Sequence, residues 1–232
     1  MELLRPEAQD QLRALPETTR LAPLQRNSSL YAQSQLADAV FLIEEGLIKL
    51  TRANESGDKI ILGICGPGQL IGEEALSQDP QSYYTEAVAI TGAAVERIPR
   101  EPLLRAIVPH NELGSALVTY LLTRKLDLAE KVELLCLHDV EYRILHYLVQ
   151  LSTLLPQPPN GDGYQIPITQ LELADLIGAT RETTSTTLNQ LERRGLLKLS
   201  RRLLTVPSPR ELRNAAMARS AMPSDTVNAI GS

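Results

Sequence analysis

The sequence predicts an α+β chain in three parts: an antiparallel β-roll, one long helix, and a small helical domain that ends in a β-hairpin. Three observations carry that prediction. Between Leu30 and Ile98, short apolar runs alternate with turn residues at close spacing. After Pro99 the apolar period becomes that of a helix and stays so to Leu155. From Thr169, two helix signatures separated by a glycine turn lead into two short apolar runs joined by Ser200-Arg201-Arg202.

In the first part, Val40 to Ile43 leads to Gly46, and Leu47 to Thr51 alternates in polarity. Glu55-Ser56-Gly57-Asp58 is a hairpin signal, Ile60 to Ile64 follows, and Gly66-Pro67-Gly68 turns the chain again. Ala87 to Ile90 and Ala93 to Ile98 complete the set. Short strands with turns every eight to twelve residues or so indicate an antiparallel barrel or roll. One phenylalanine and no tryptophan leave little for an aromatic stacking platform.

A short helix around Glu101 to Ile107 stops at Pro109, and a long one begins near Asn111. In the long helix Val118, Leu121, Leu128, Val132 and Leu135 recur at spacings of three, four and seven, interrupted by Lys125. Such a stripe suits a two-stranded coiled coil between subunits; a helix packed on its own domain is the alternative. Val140 to Leu155 carries Ile144, Leu145, Leu148 and Leu151 on one face of a further helix. Pro156 to Gly163 can then be neither helix nor central strand.

Thr169-Gln170-Leu171-Glu172 is a capping box opening a short helix, with Leu173 and Leu176-Ile177 as its apolar face and Gly178 as its end. Thr180 can cap the next helix, which runs from Arg181 through Arg194 to a stop at Gly195. Leu196 to Leu199 and Leu203 to Val206 read as a two-stranded wing. Helix, turn, helix and basic hairpin form a winged helix-turn-helix. Its threonine-rich second helix has poor intrinsic propensity and must be held by its neighbours.

Charge and composition exclude several classes. The net charge is −5, but from His138 onward ten bases stand against nine acids. Arg181 to Arg202 holds six bases and two acids, a basic patch that is either a nucleic-acid surface or a solvated helix face. No apolar stretch is long enough to span a membrane. Met1-Glu2-Leu3-Leu4-Arg5 carries an acid where a secretory signal has bases, so a cytoplasmic protein is expected. Cys65 and Cys136 are too few for a disulfide scaffold, and Cys136 is expected as a small buried hydrophobe, with a redox-active thiol as the alternative. His138 and His146 lie eight apart, which is not metal-ligand spacing, so both are read as structural. No Ser/His/Asp grouping, metal cluster or phosphate loop is present to carry catalysis, and no cofactor is expected.

The residues of Leu30 to Val206 resemble the cyclic-AMP receptor/FNR (Crp/Fnr) family of bacterial transcription regulators. The resemblance rests on Gly178-Ala179-Thr180-Arg181-Glu182-Thr183 with Leu188 and Leu191-Glu192. It rests also on Phe41-Leu42-Ile43-Glu44-Glu45-Gly46 and on Gly66-Pro67-Gly68-Gln69-Leu70-Ile71-Gly72-Glu73. Leu137-His138-Asp139-Val140 resembles the family's hinge. The resemblance implies a cyclic-nucleotide-binding-like jelly roll with flanking helices over residues 1–110 and a dimerisation helix over 111–137. A winged helix-turn-helix over 138–207 and a C-terminal tail over 208–232 follow. It implies a homodimer on an inverted-repeat promoter site, with RNA polymerase as a further partner and no membrane.

On that resemblance Arg181, Glu182, Ser185, Thr186 and Asn189 face the major groove, with Thr180 and Thr183 at the helix start and Thr184, Thr187, Leu188 and Leu191 turned inward. Thr169, Gln170, Arg201 and Arg202 hold phosphates. In cyclic-AMP-binding members a Gly-Glu pair holds the ribose and an Arg-Ser pair the phosphate. Gly72-Glu73 matches the first pair, but Tyr83-Tyr84 stands at the second, and Leu128-Ala129 replaces the pair that meets the purine. A phosphate needs a cation or aimed N–H donors, so cyclic AMP is not expected as ligand and Gly72-Glu73 is read as a turn. Two alternatives stay open: an unidentified small molecule in the roll, or a metabolite-binding roll whose helical domain makes protein contacts only.

Overall fold

The computed structural model describes residues 3–107, 112–156 and 163–220. The chain forms two compact units, residues 1–127 and 128–232. The elements of the first unit are α1 (Pro6–Arg13), β1 (Thr19–Arg20), β2 (Ser29–Tyr31), β3 (Ala39–Glu45), β4 (Ile48–Ala53), β5 (Lys59–Cys65), β6 (Leu70–Ile71), β7 (Glu86–Ala89), β8 (Ala94–Pro99) and α2 (Arg100–Ala106). The long helix α3 (Glu112–Leu137) runs through the boundary. The second unit continues with α4 (Val140–Thr153), β9 (Tyr164–Ile166), α5 (Gln170–Ile177), α6 (Arg181–Arg193), β10 (Lys198–Ser200), β11 (Leu203–Val206) and α7 (Pro209–Ser220).

The first unit is the expected roll. Two four-stranded antiparallel sheets, β1-β8-β3-β6 and β2-β7-β4-β5, share one apolar core. Phe41, Leu42 and Ile43 of the first sheet are buried with Ile48, Leu50 and Ala87 of the second. Two tyrosines fasten the core with the same device. The Tyr83 hydroxyl donates to the Ala39 carbonyl at 2.7 Å and accepts from the Ala39 N–H at 3.3 Å. The Tyr120 hydroxyl of α3 treats Leu70 alike, at 2.7 and 3.0 Å, which anchors the start of α3 on β6. A buried phenol needs such partners, and each here has two.

Four strands escape the sequence reading: β1, β2, β6 and β9 are each two or three residues long, too short for a period. α1 precedes the first strand signal at Leu30; Pro6 opens it, and Leu12 is buried beside Ala8. The wing is a three-stranded sheet, β10-β11-β9, where two strands are expected. Pro156 is described, whereas residues 157–162 of the expected loop, His110 and Asn111, and the tail beyond Ser220 lie outside the described residues.

One expectation is corrected. Cys136 is exposed, because it faces away from the buried side of α3; Cys65 is the buried cysteine. Among the described residues no helix is long and apolar enough to cross a membrane. His138, Tyr142 and His146 form a ring stack, with centroids 3.9 and 6.3 Å apart.

Candidate nucleic-acid interface

The capping box forms as its residues dictate. The Glu172 N–H donates to Thr169 Oγ1, and the Glu172 carboxylate accepts from the Thr169 N–H at 2.9 Å. It also accepts from the Thr169 hydroxyl at 2.8 Å. That hydroxyl proton is therefore engaged within the box. Of the two residues expected on phosphates here, half-buried Gln170 is the one whose side-chain donors lie outside it. α5 ends at Gly178, whose φ of 62° is the left-handed conformation that favours glycine. The Ala179 N–H closes the turn on the Ala174 carbonyl.

Thr180 caps α6 by accepting from the Thr183 N–H at 3.2 Å. Thr184, Leu188 and Leu191 form the buried face of the helix. Burying a threonine is tolerable because Thr184 Oγ1 donates to the Thr180 carbonyl at 2.8 Å. Thr187, half-buried, donates likewise to Thr183 at 2.9 Å. Arg181, Glu182, Thr186 and Asn189 are exposed, and Ser185 is half-buried between them. At 100° per residue these five fall in one arc of about 140°, separate from the arc of the buried face, which it adjoins at Arg181. Arg193 falls on the same exposed side; the sequence reading counted its charge but not its place.

Arg201 and Arg202 are exposed at the tip of the β10–β11 hairpin. The hairpin is held to α6 by Glu192, whose carboxylate accepts the Leu199 N–H at 2.7 Å. A positive wing, a polar helix face and a capped first helix are thus parts of one unit, and their donors match phosphates and base edges.

In the roll, Gly72 has φ +80°, and a Cβ there would fall 3.0 Å from the Tyr83 ring and 3.2 Å from the Ala39 carbonyl. It opens the short 3-10 turn Glu73–Leu76. Tyr83 is a core residue, stacked 4.0 Å from Tyr31, and burial raises its hydroxyl to about 12. Tyr84 points outward, under the Arg52 guanidinium at 3.7 Å. Glu73 meets Arg124 of α3, Oε1 to Nε 3.6 Å. The sequence reading missed Arg124, although Leu113, Leu117, Tyr120 and Arg124 are spaced four, three and four, which puts them on one helix face. Leu128 is exposed and belongs to the second unit.

Val118, Leu122, Leu126, Leu128 and Val132 are all exposed on α3. Leu121 is half-buried, and Leu135 lies against Gly178. Leu122 and Leu126 widen the stripe that the sequence reading drew.

Comparison with known proteins agrees with both units. The family described as a cyclic nucleotide-binding domain matches residues 22–110, and the Crp-like helix-turn-helix domain matches residues 142–215. The chain is 29% identical over 199 residues to the cyclic AMP receptor protein of Thermus thermophilus, covering 85% of each. It is 25% identical over 192 residues to the global nitrogen regulator of Synechococcus elongatus, covering 82% of this chain and 86% of the regulator. Among solved structures, a CRP-family transcriptional regulator from Thermus thermophilus superposes with TM-score 0.72 at 25% identity, over 85% of this chain and 97% of that one. FixK2 from Bradyrhizobium japonicum shares the fold with TM-score 0.73 at 20% identity, over 89% of this chain and 99% of that one. With the roll and the helix-turn-helix both matched, the chain belongs to the Crp/Fnr family, as a transcription regulator with a DNA-binding helix-turn-helix.

Proposed function

We propose that the chain is a cytoplasmic homodimer that reads an inverted-repeat promoter site and presents RNA polymerase with a regulator independent of cyclic AMP. The observation that carries the DNA-reading part is the division of α6: Thr184, Leu188 and Leu191 are buried, and Arg181, Glu182, Thr186 and Asn189 are exposed beside the Arg201-Arg202 wing. Arg181 can donate two hydrogen bonds to guanine O6 and N7, and Glu182 can accept from a cytosine amino group. Thr180 and Thr183 at the helix start, Ser185 within the face, and Thr169, Gln170, Arg201 and Arg202 on the backbone complete the interface. Two such heads on a two-fold axis read half-sites about 34 Å apart.

Dimerisation is assigned to the stripe of α3, exposed Val118, Leu128, Val132 and Leu135 with half-buried Leu121, and with exposed Leu122 and Leu126 added, because a solvated row of this kind needs a partner. Two observations favour independence from cyclic AMP. Tyr83, at the position of the phosphate-binding arginine, is closed into the core, and Glu73 is turned to Arg124. The proteins named as cyclic AMP receptors among the relatives make the nucleotide the first ligand to test. The experiment is selection from a random-sequence library by purified protein without ligand. Recovery of a two-fold symmetric site is the expected result; recovery of no sequence preference refutes the proposal.

A further inference from the structure

The carbonyls that end a helix lack intrahelical donors and carry the negative end of its dipole. At the end of α5, three consecutive carbonyls are met by cations from two other helices. The Lys131 ammonium of α3 donates to the Leu176 carbonyl at 2.9 Å. The Arg143 guanidinium of α4 donates to the Ile177 carbonyl at 2.6 Å and reaches that of Gly178 at 3.4 Å. Leu135, also of α3, closes on the same turn, since a Cβ on Gly178 would fall 2.8 Å from Leu135 Cδ2. Lys131 is half-buried over the Tyr147 ring, 5.5 Å from its centroid, and burial brings its pKa down to about 8. A cation is held here although the surroundings disfavour its charge.

α6 begins three residues beyond Gly178, at Arg181. The direction in which it leaves is set by the backbone of Gly178, Ala179 and Thr180 together with the packing of Thr184, Leu188 and Leu191. A helix of its thirteen residues is about 20 Å long, so a swing of about 10° moves its far end by about 3 Å. That displacement exceeds the range over which a base-edge hydrogen bond survives. We infer that Lys131 is a positioning residue for DNA reading: with Arg143 it fixes the turn from which α6 departs and ties the direction of α6 to the last turns of α3. The inference rests on the reading of α6 as the groove-facing helix. It gives the stretch of α3 that carries the dimer stripe a second task, orienting the reading head behind it.

The test uses full-length parent, Lys131→Met and Arg143→Gln. Each is followed by thermal melting and by fluorescence anisotropy on the selected site and on a scrambled duplex. Lys131→Met is expected to keep its affinity for the scrambled duplex and to lose about tenfold in the ratio of the two affinities, the scale of one base contact. An unchanged ratio would overturn the positioning role, and so would equal weakening on both duplexes, which marks a structural role alone. Should Lys131→Met fail to melt cooperatively, Arg143→Gln is judged by the same ratio. A parent that selects no sequence would overturn the reading of α6 itself, an outcome distinct from an unchanged ratio in the variant.

Discussion

Replacing Leu128 by aspartate puts the dimer assignment at risk most directly. Val118, Leu122, Leu126, Leu128 and Val132 are 57, 56, 67, 53 and 59% exposed in the single chain. Burying a whole leucine or valine side chain is worth about 1.5–3 kcal/mol, so the exposed half of each offers roughly 1–1.5 kcal/mol. Over both copies the stripe supplies on the order of 10–15 kcal/mol before association costs of about 4–15 kcal/mol. The margin is small, and each position counts twice. Leu128→Asp removes roughly 2–3 kcal/mol of that burial and brings two carboxylates into an apolar seam, for a combined loss of about 4 kcal/mol or more. At about 1.4 kcal/mol per decade the dimer dissociation constant rises roughly a thousandfold. Sedimentation velocity at micromolar concentration reads the change, and anisotropy on the operator reads its consequence. Leu36→Asp, at a position 59% exposed on the roll, serves as the control and should stay dimeric. A Leu128→Asp protein that sediments and binds as the parent does would refute the seam.

Four further outcomes are expected. Calorimetry with cyclic AMP should give no saturable heat, while ligand-free protein binds its selected DNA; micromolar binding that tightens operator affinity would contradict the account of Tyr83. Arg181→Ala should cost about 1–3 kcal/mol and relax preference at one base pair, whereas Arg202→Ala should weaken all sequences alike and lower the salt slope by about one. Tyr83→Phe leaves both polar groups of Ala39 without the hydroxyl they share and should lower stability by about 1–3 kcal/mol, read from the denaturant midpoint. Lys131 has its pKa lowered from 10.5 to about 8, so between those values the unfolded chain binds the extra proton. The cost of burying the ammonium is thus full below pH 8 and is relieved as pH rises toward 10.5, by at most about 3 kcal/mol. Parent stability relative to Lys131→Met should therefore climb over that window; a flat difference would count against it.

What could be read from the sequence follows from length and locality. β3, β4, β5 and β8 are six or seven residues long and sit between glycine turns, so polarity and punctuation locate them. β1, β2, β6 and β9 are defined by partners far along the chain, as when Tyr164 pairs with Val206, and no local pattern announces them. The α6 face was legible because a helix reports its faces by period. The contacts that position it were not. Lys131 reaches Leu176 and Arg143 reaches Ile177, 45 and 34 positions away, and both bind backbone carbonyls, which every residue possesses. Arg124 and Glu73 are oppositely charged, yet only the folded roll brings them together.

The two sides of α6 divide its duties completely. Thr184, Leu188 and Leu191 hold the helix in place, and their hydroxyl and apolar contacts are satisfied from within the domain. Arg181, Glu182, Thr186 and Asn189 stand in solvent with no packing role. On the proposed reading of this face, exchanges at those four positions leave the scaffold's stability almost unchanged while altering which bases are met. The reading head can drift to a new operator by single substitutions, without passing through an unfolded intermediate sequence, and an engineer can redirect it by the same steps.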